Sequence, residues 1–285
     1  DLCKGYSNSV IITEGGNVVA SSPLSVNADK YDHSFAGSVK ATKAGIHHYV
    51  ISVPAADGEK NTTNNRKDIF VEVVEEKKNI LIASAAPHPD VNAIKDALSG
   101  VESYKVTVCT AENFPASLSS YNVIILHGLP SLRTNIGPQI LTAKKPVWFI
   151  TSSQSGITAL NNLEPLTHTV LVQTMQHDVQ AVYRSSFNTF TLPQQIQSVT
   201  DKMPPLLANT GNSRTDPGAN VLFAQRGNGQ DQLPLWLLQQ GSVPTAMLLG
   251  EGIWRWRMYE YKNFNQHNIV DECIRQTVSF LSANS

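Results

Sequence analysis

Cysteine is scarce in this chain. Cys3, Cys109 and Cys273 are the only three in 285 residues, and no C-x-x-C spacing joins any of them. A zinc site or redox motif built on these cysteines therefore has little support. Cys109, in a β-branched run, and Cys273, on an amphipathic stretch, read as small core residues. Cys3 reads either as a stray thiol or as a lipid attachment point. Long apolar runs are missing too: none reaches the roughly 18 residues that a membrane-spanning helix needs. Charge of one sign is missing, with 22 basic against 23 acidic residues and a net charge of −1. That removes any general pull toward nucleic acid or an acidic membrane surface. Repeats and low-complexity tracts are not seen. Gly227-Asn-Gly229 lacks the third glycine and the apolar helix of a dinucleotide fingerprint. The first residues, Asp1-Leu-Cys-Lys-Gly, are neither an initiator methionine nor a signal peptide, which fits a mature or excised part of a longer protein.

The most telling absence lies in Pro146-Val-Trp-Phe-Ile-Thr-Ser-Ser-Gln-Ser-Gly156. This stretch reads as a buried strand running into a turn that opens a helix. In α/β enzymes such a turn can hold a nucleophile between permissive glycines. Here it carries hydroxyls, no cysteine, and no glycine at the needed distance.

What is present fits an ordinary globular protein, 41% hydrophobic and 16% charged, with length enough for two domains. Residues 1–76 read as all-β. Val10–Ile12, Val18–Ala20, Leu24–Val26, Phe35–Val39, His47–Val53 and Asp68–Val74 are short β-branched or aromatic runs split by turn residues. Such density predicts a β-sandwich. Glu75-Glu-Lys-Lys-Asn79 is a charged hinge, too short for a flexible linker, and predicts two touching domains. From residue 79 the pattern alternates: a strand at Asn79–Ser84, a helix at Asp90–Leu98 capped by Asp90, and strands at Tyr104–Cys109, Asn122–Leu126 and Val147–Ile150. This predicts a parallel sheet with helices on both faces. Thr169–Val172, Val179–Tyr183 and Phe187–Leu192 read as an antiparallel excursion. Strands at Val221–Ala224, Leu233–Leu238 and Thr245–Leu249 and a helix at Asn268–Leu281 close the chain.

Ligands of open parallel sheets bind at the carboxyl ends of the strands. That rule gathers His88, Asp90, His127, Ser152, Ser153, Gln154 and Glu251 into one candidate pocket. Three readings compete there. Ser152 or Ser153 with His127 as base would make a hydrolase. His88, Asp90 and His127 would suit a zinc-like ion, though their spacing matches no closed motif. Otherwise these are ordinary loop residues, with the serines as helix caps. Gly250-Glu-Gly-Ile-Trp254-Arg255-Trp256-Arg257 is the most distinctive motif. Its alternating Trp and Arg could form a stacking surface for sugar or nucleic acid. The plainer reading has both indoles closing the core and both arginines paired with acids or helix carbonyls.

Two resemblances follow from these residues. Ala44-Gly-Ile-His-His-Tyr-Val-Ile-Ser-Val, Gly58-Glu59, Asn64-Asn65 and Ile69-Phe-Val-Glu-Val resemble the immunoglobulin-like bacterial adhesion-related (CARDB-like) modules, with Lys60-Asn61 shifted by one residue at the turn. Residues 79–285 resemble the class I glutamine amidotransferase-like domains of bacterial cell-envelope proteins. That likeness rests on Ile80-Leu-Ile, Pro89-Asp90, Tyr121-Asn-Val-Ile-Ile-Leu, Pro146-Val-Trp-Phe-Ile and Leu248-Leu-Gly-Glu-Gly-Ile-Trp-Arg-Trp-Arg257. It implies an Ig-like β-sandwich followed by a flavodoxin-like α/β domain. Aligned on the strand, Thr151 stands where active amidotransferases have cysteine, with Phe149 and Ser153 at the flanking glycines. Asn268 and Ile269 follow His267 where a His-x-Glu pair is expected. The implied role is a non-catalytic one in protein interaction, spacing or sensing, extracytoplasmic and membrane-tethered through other segments. It calls for no cofactor or metal, and for protein partners at the envelope or other domains of the parent chain. A divergent hydrolase or metal-dependent enzyme at the same sheet edge is the alternative.

Overall fold

The computed structural model describes residues 5–28, 31–32, 34, 38–39, 43–73, 77–171, 175–210, 213–226 and 233–283. The chain divides into two compact units, Asp1–Glu76 and Lys77–Ser285. Cys3, the turn at 227–229, most of the expected strand Phe35–Val39 and residues 74–76 of the charged hinge lie outside the described residues.

In the first unit, β1 (Ser7–Glu14), β2 (Asn17–Ser25), β3 (Gly45–Ser52) and β4 (Arg66–Val73) form one antiparallel sheet in the order β2-β1-β3-β4. Gly15 and Gly16, at φ 54° and 85°, close the β1–β2 hairpin and leave Glu14 opposite Asn17. Both positions need the left-handed region, which glycine enters without steric cost. Val18–Ala20 and Leu24–Val26, expected as separate strands, fall on the single strand β2, with only Val26 beyond its end. Val10, Ile12 and Tyr49 are the buried side chains of this sheet. Glu59 pins the loop before β4 by accepting from the Ala56 amide and the Asn65 side chain.

The second unit runs β5 (Lys78–Ser84), α1 (Pro89–Ser99), β6 (Tyr104–Thr110), β7 (Val123–His127), α2 (Gly137–Ala143), β8 (Val147–Ile150), α3 (Ile157–Asn161) and α4 (Glu164–Thr167). Then come β9 (Thr169–Leu171), β10 (Met175–Val179), β11 (Ala181–Tyr183), α5 (Ile196–Thr200), β12 (Leu206–Thr210), β13 (Ser213–Thr215), β14 (Asn220–Gln225) and β15 (Pro234–Gln239). It ends with β16 (Thr245–Leu248), β17 (Gly250–Glu251), α6 (Ile253–Phe264) and α7 (Asn268–Ser282). The main sheet has eight strands in the order β11-β14-β15-β16-β8-β7-β5-β6. Strands β16, β8, β7, β5 and β6 run parallel, while β15, β14 and β11 extend the sheet antiparallel. Two small sheets, β10-β12-β17 and β13-β9, stand beside it.

This architecture corrects the fold class expected from the sequence. In the first unit the described strands make one sheet, where a β-sandwich needs two packed face to face. In the second unit the principal sheet is mixed and eight-stranded, with strands outnumbering helices, and is not a flavodoxin-like α/β domain. The physical reason is connection length. The links 226–233 and 240–244 are too short for the crossover that a parallel pair requires, so β14, β15 and β16 turn back as antiparallel neighbours. Apolar periodicity marks a strand but carries neither its direction nor the number of sheets.

Smaller corrections follow. Phe187–Leu192 forms no strand; Phe187 and Phe190 pack edge-on at 4.8 Å instead. Cys109 sits half-buried on the edge strand β6, whereas Cys273 is buried as expected. α2 and α6 were not expected from the sequence.

Alternate residues of β5 feed the two faces of the main sheet. Ile80 and Ile82 join the core under α1 and α7, and Leu81 and Ala83 join the core with Ile140 of α2 and Leu160 of α3. Phe223 is the hub of the first core: Trp236, Trp256 and Tyr183 all lie against it, with ring centroids 5.4–6.2 Å away. Phe223→Ala is expected to cost about 3–5 kcal/mol, read from the shift of the urea unfolding midpoint at constant slope.

Candidate functional site

Parallel pairing aligns Ser84, His127, Ile150 and Leu248 across the sheet, so the loops that follow them leave from one edge. A cleft of about 200 Å³ opens there, lined by Ala85, Ala86, Pro87, His88, His127, Ser152, Ser153, Gln154 and Glu251. Six of the seven residues that the sequence gathers thus share one cleft. The seventh, Asp90, lies beneath it, fully buried.

His88, not Asp90, caps α1. Its backbone is extended, and its Nδ1 accepts from the Asp90 amide at 3.2 Å. Pro89 occupies the first helical turn, where its missing N–H costs nothing. Asp90 is freed for a different task. Its Oδ2 accepts from the Gly252 amide at 2.7 Å and its Oδ1 from the Trp254 amide at 2.9 Å. Those amides open α6, whose N-cap, Gly252, has no side chain and sits at φ 113°. A residue with a Cβ would be strained there. The Asp90 carboxylate therefore does for α6 what the glycine cannot.

The two histidines stack, with ring centroids 4.3 Å apart and planes at 26°. His127 Nε2 lies 3.4 Å from Asp90 Oδ2, and His88 Nε2 lies 3.4 Å from Glu251 Oε2. Burial alone would raise the Asp90 carboxyl. The hydrogen bonds from His127, Gly252 and Trp254 outweigh it and hold that carboxyl below the ordinary carboxylate range. His88 moves down from the usual imidazole value, first through burial and then through its neighbour His127, against the pull of Asp90 and Glu251. It is neutral at pH 7.

The 151–155 turn is closed on itself. The Thr151 amide donates to the Leu248 carbonyl, and the side chain is 1% exposed with its hydroxyl lacking a partner. Ser152 Oγ accepts from the Gln154 amide, and Ser155 Oγ accepts from the Ser152 amide. The Ser153 amide reaches Glu251 Oε1 at 3.4 Å. No hydrogen bond joins either Ser152 or Ser153 to His127 among the described residues. The expected capping serines hold this turn instead, and the N-cap of α3 is Gly156, without a side-chain bond. Gly128 is the residue that sequence reasoning missed: a Cβ there would sit 2.5 Å from Ser152 Oγ. Its place directly after the strand-end histidine was the available signal.

The Trp/Arg motif lies on α6. Trp256 is buried, donates Nε1–H to the Pro204 carbonyl at 2.7 Å and meets Phe223 edge-on. Trp254 is half-buried, with the Arg255 guanidinium 5.8 Å from its ring centroid. Arg255 faces the Pro205 carbonyl and Asp178, and Arg257 pairs with Asp271 at 2.7 Å and with Asp96 at 3.6 Å. A sugar platform needing both indole faces in solvent is not available here.

No protein-family model matches this chain, and no curated protein does. Among solved structures it is similar to the exo-beta-1,4-mannosidase Op5Man5 from Opitutaceae bacterium strain TAV5, with TM-score 0.44 and 10% identity over 71% of this chain. The match spans 36% of the mannosidase chain. That structure is an enzyme, but a likeness this distant transfers neither fold nor activity.

Asp90→Asn keeps the side-chain shape and removes the charge, and is expected to cost about 1.5–3 kcal/mol at pH 7. Because the folded carboxyl titrates below its unfolded value of 3.8, its contribution is complete above that value and is lost as pH falls through the folded pKa. Denaturant melts with chelator present should show wild type and variant converging in acid.

Proposed function

We propose that the second unit recognises a polar group at the carboxyl edge of its sheet and breaks no bonds there. The chain would then be a non-catalytic, extracytoplasmic part of a bacterial envelope protein, acting in protein interaction, spacing or sensing. The observation that supports this most directly is the condition of the 151–155 turn. Nucleophilic catalysis needs a hydroxyl or thiol facing substrate, a base within hydrogen-bond reach and free amides for an oxyanion. Thr151 turns its hydroxyl into the core, and the Ser152 and Ser155 hydroxyls accept from backbone amides of the same turn. The amides of Ser152, Ser153 and Gln154 already donate to side chains, so none is poised for a developing negative charge.

The cleft itself favours recognition of something small. At about 200 Å³ it falls below the roughly 300–1,000 Å³ of pockets that enclose a whole small molecule. It suits a side chain or small polar group presented by a partner. The extracytoplasmic setting, and tethering through segments of the parent chain, follow the resemblance of residues 79–285 to nucleophile-less envelope domains.

Intact mass spectrometry after treatment with fluorophosphonates and electrophilic glutamine analogues checks this reading. No adduct on residues 151–155 is expected. Thr151→Val, which removes an unpartnered buried hydroxyl, should leave stability unchanged or raise it by up to about 1 kcal/mol. A covalent adduct on the turn that Thr151→Val or Ser152→Ala abolishes would overturn it.

A further inference from the structure

We propose that His88, Asp90 and His127 form a binding site for one divalent transition-metal ion of the zinc type, with Glu251 orienting His88 from outside the site. This goes beyond the recognition role above and does not depend on it. Each of the three residues offers one ligand atom, and these atoms all lie within 4.8 Å of one another. The spacing that hides them in the sequence is bridged by the sheet: β7 delivers His127, and the first turn of α1 delivers His88 and Asp90.

The separations favour a shared ion over direct pairing. His127 Nε2 and His88 Nδ1 lie 3.4 Å and 3.6 Å from Asp90 Oδ2. Charge-assisted N–H···O bonds run at about 2.7–2.9 Å, so the His127 bond to Asp90 is a long one and His88 Nδ1 makes none to that oxygen. Two ligands on one tetrahedral ion, at bond lengths of about 2.0–2.1 Å, stand roughly 3.3–3.4 Å apart. The distances are those of a coordination edge. Two imidazoles and one carboxylate suit zinc or a neighbouring transition ion better than magnesium or calcium, which take oxygen donors.

The surroundings are also those of a metal site. A ligating histidine usually gives its far nitrogen to a carboxylate, and His88 Nε2 lies 3.4 Å from Glu251, while its Nδ1 would exchange the 3.2 Å bond from the Asp90 amide for the ion. Asp90 is fixed by the Gly252 and Trp254 amides. Two of the three ligands, His88 and His127, line the cleft together with Ser152, Ser153 and Gln154, which gives an ion its way in.

The test uses the tag-free chain, stripped with chelator and titrated with zinc by calorimetry and with cobalt(II) by visible absorption. His88→Asn is the chosen variant, because asparagine still caps α1 while the imidazole is lost. Wild type should bind one zinc ion per chain, gain melting temperature with zinc but not with magnesium, and show ligand-field bands with cobalt. His88→Asn should weaken zinc by more than the roughly 10–100-fold that losing an outer partner costs, and Glu251→Gln should weaken it within that range. Absence of zinc binding by wild type overturns the proposal. So does His88→Asn binding zinc with unchanged affinity and stoichiometry. Should His88→Asn fail to fold, unchanged zinc affinity in Glu251→Gln overturns it instead.

Discussion

One buried carboxylate organises the functional edge of this protein. Asp90 sits in the first turn of α1, yet each of its oxygens accepts from one of the amides that open α6. Gly252 cannot cap that helix itself, because it has no side chain and its φ of 113° suits only glycine. The carboxylate thereby fixes where α6 begins, and α6 in turn carries Trp256 into the core beside Phe223 and brings Arg257 to Asp271. The same device recurs one helix later. Glu260 of α6 accepts from the Ile269 and Val270 amides at the start of α7, whose N-cap His267 makes no side-chain cap bond. Helices α1, α6 and α7 are thus joined in series by acids of one helix seated on the amino end of the next.

The constraint has a consequence for chemistry. A carboxylate held below its ordinary range by the hydrogen bonds it accepts is a poor base, and it also stands where two imidazoles converge. The neighbouring turn is equally committed, its hydroxyls and amides satisfying one another around Thr151. What faces solvent is a small polar rim of His88, Ser153 and Gln154 over a rigid floor. Such an edge suits recognition and ion binding, both of which draw on fixed donors rather than on an activated nucleophile.

Much of the strand content is legible in the amino acids, and the reasons are local. Asn79–Ser84, Asn122–Leu126 and Val147–Ile150 are continuous apolar runs of strand length, and all three are strands buried on both faces. Direction is not local. The apolar runs at Val221–Ala224 and Leu233–Leu238 look like their parallel neighbours, and only the short links around them make that end of the sheet antiparallel. In the first unit, short β-branched and aromatic runs mark the strands but neither the single sheet they build nor the exposure of β4. Helix α6 escaped notice because Trp254-Arg255-Trp256-Arg257 alternates like a strand; its helical start depends on Asp90, distant in sequence. The candidate cleft was gathered by the rule that loops converge at carboxyl strand ends. Asp90's placement beneath the cleft was out of reach, since a residue in a helical first turn reads as a cap for its own helix.

The central claim is that the Asp90 carboxylate is what holds the start of α6. Native-state hydrogen exchange at the Gly252 and Trp254 amides measures it most directly. In wild type both should exchange slowly, as buried donors do. With Asp90→Asn their protection should fall well below that of the β5 and β7 amides, which should keep theirs. Equal protection of Gly252 and Trp254 in the two proteins would contradict the account.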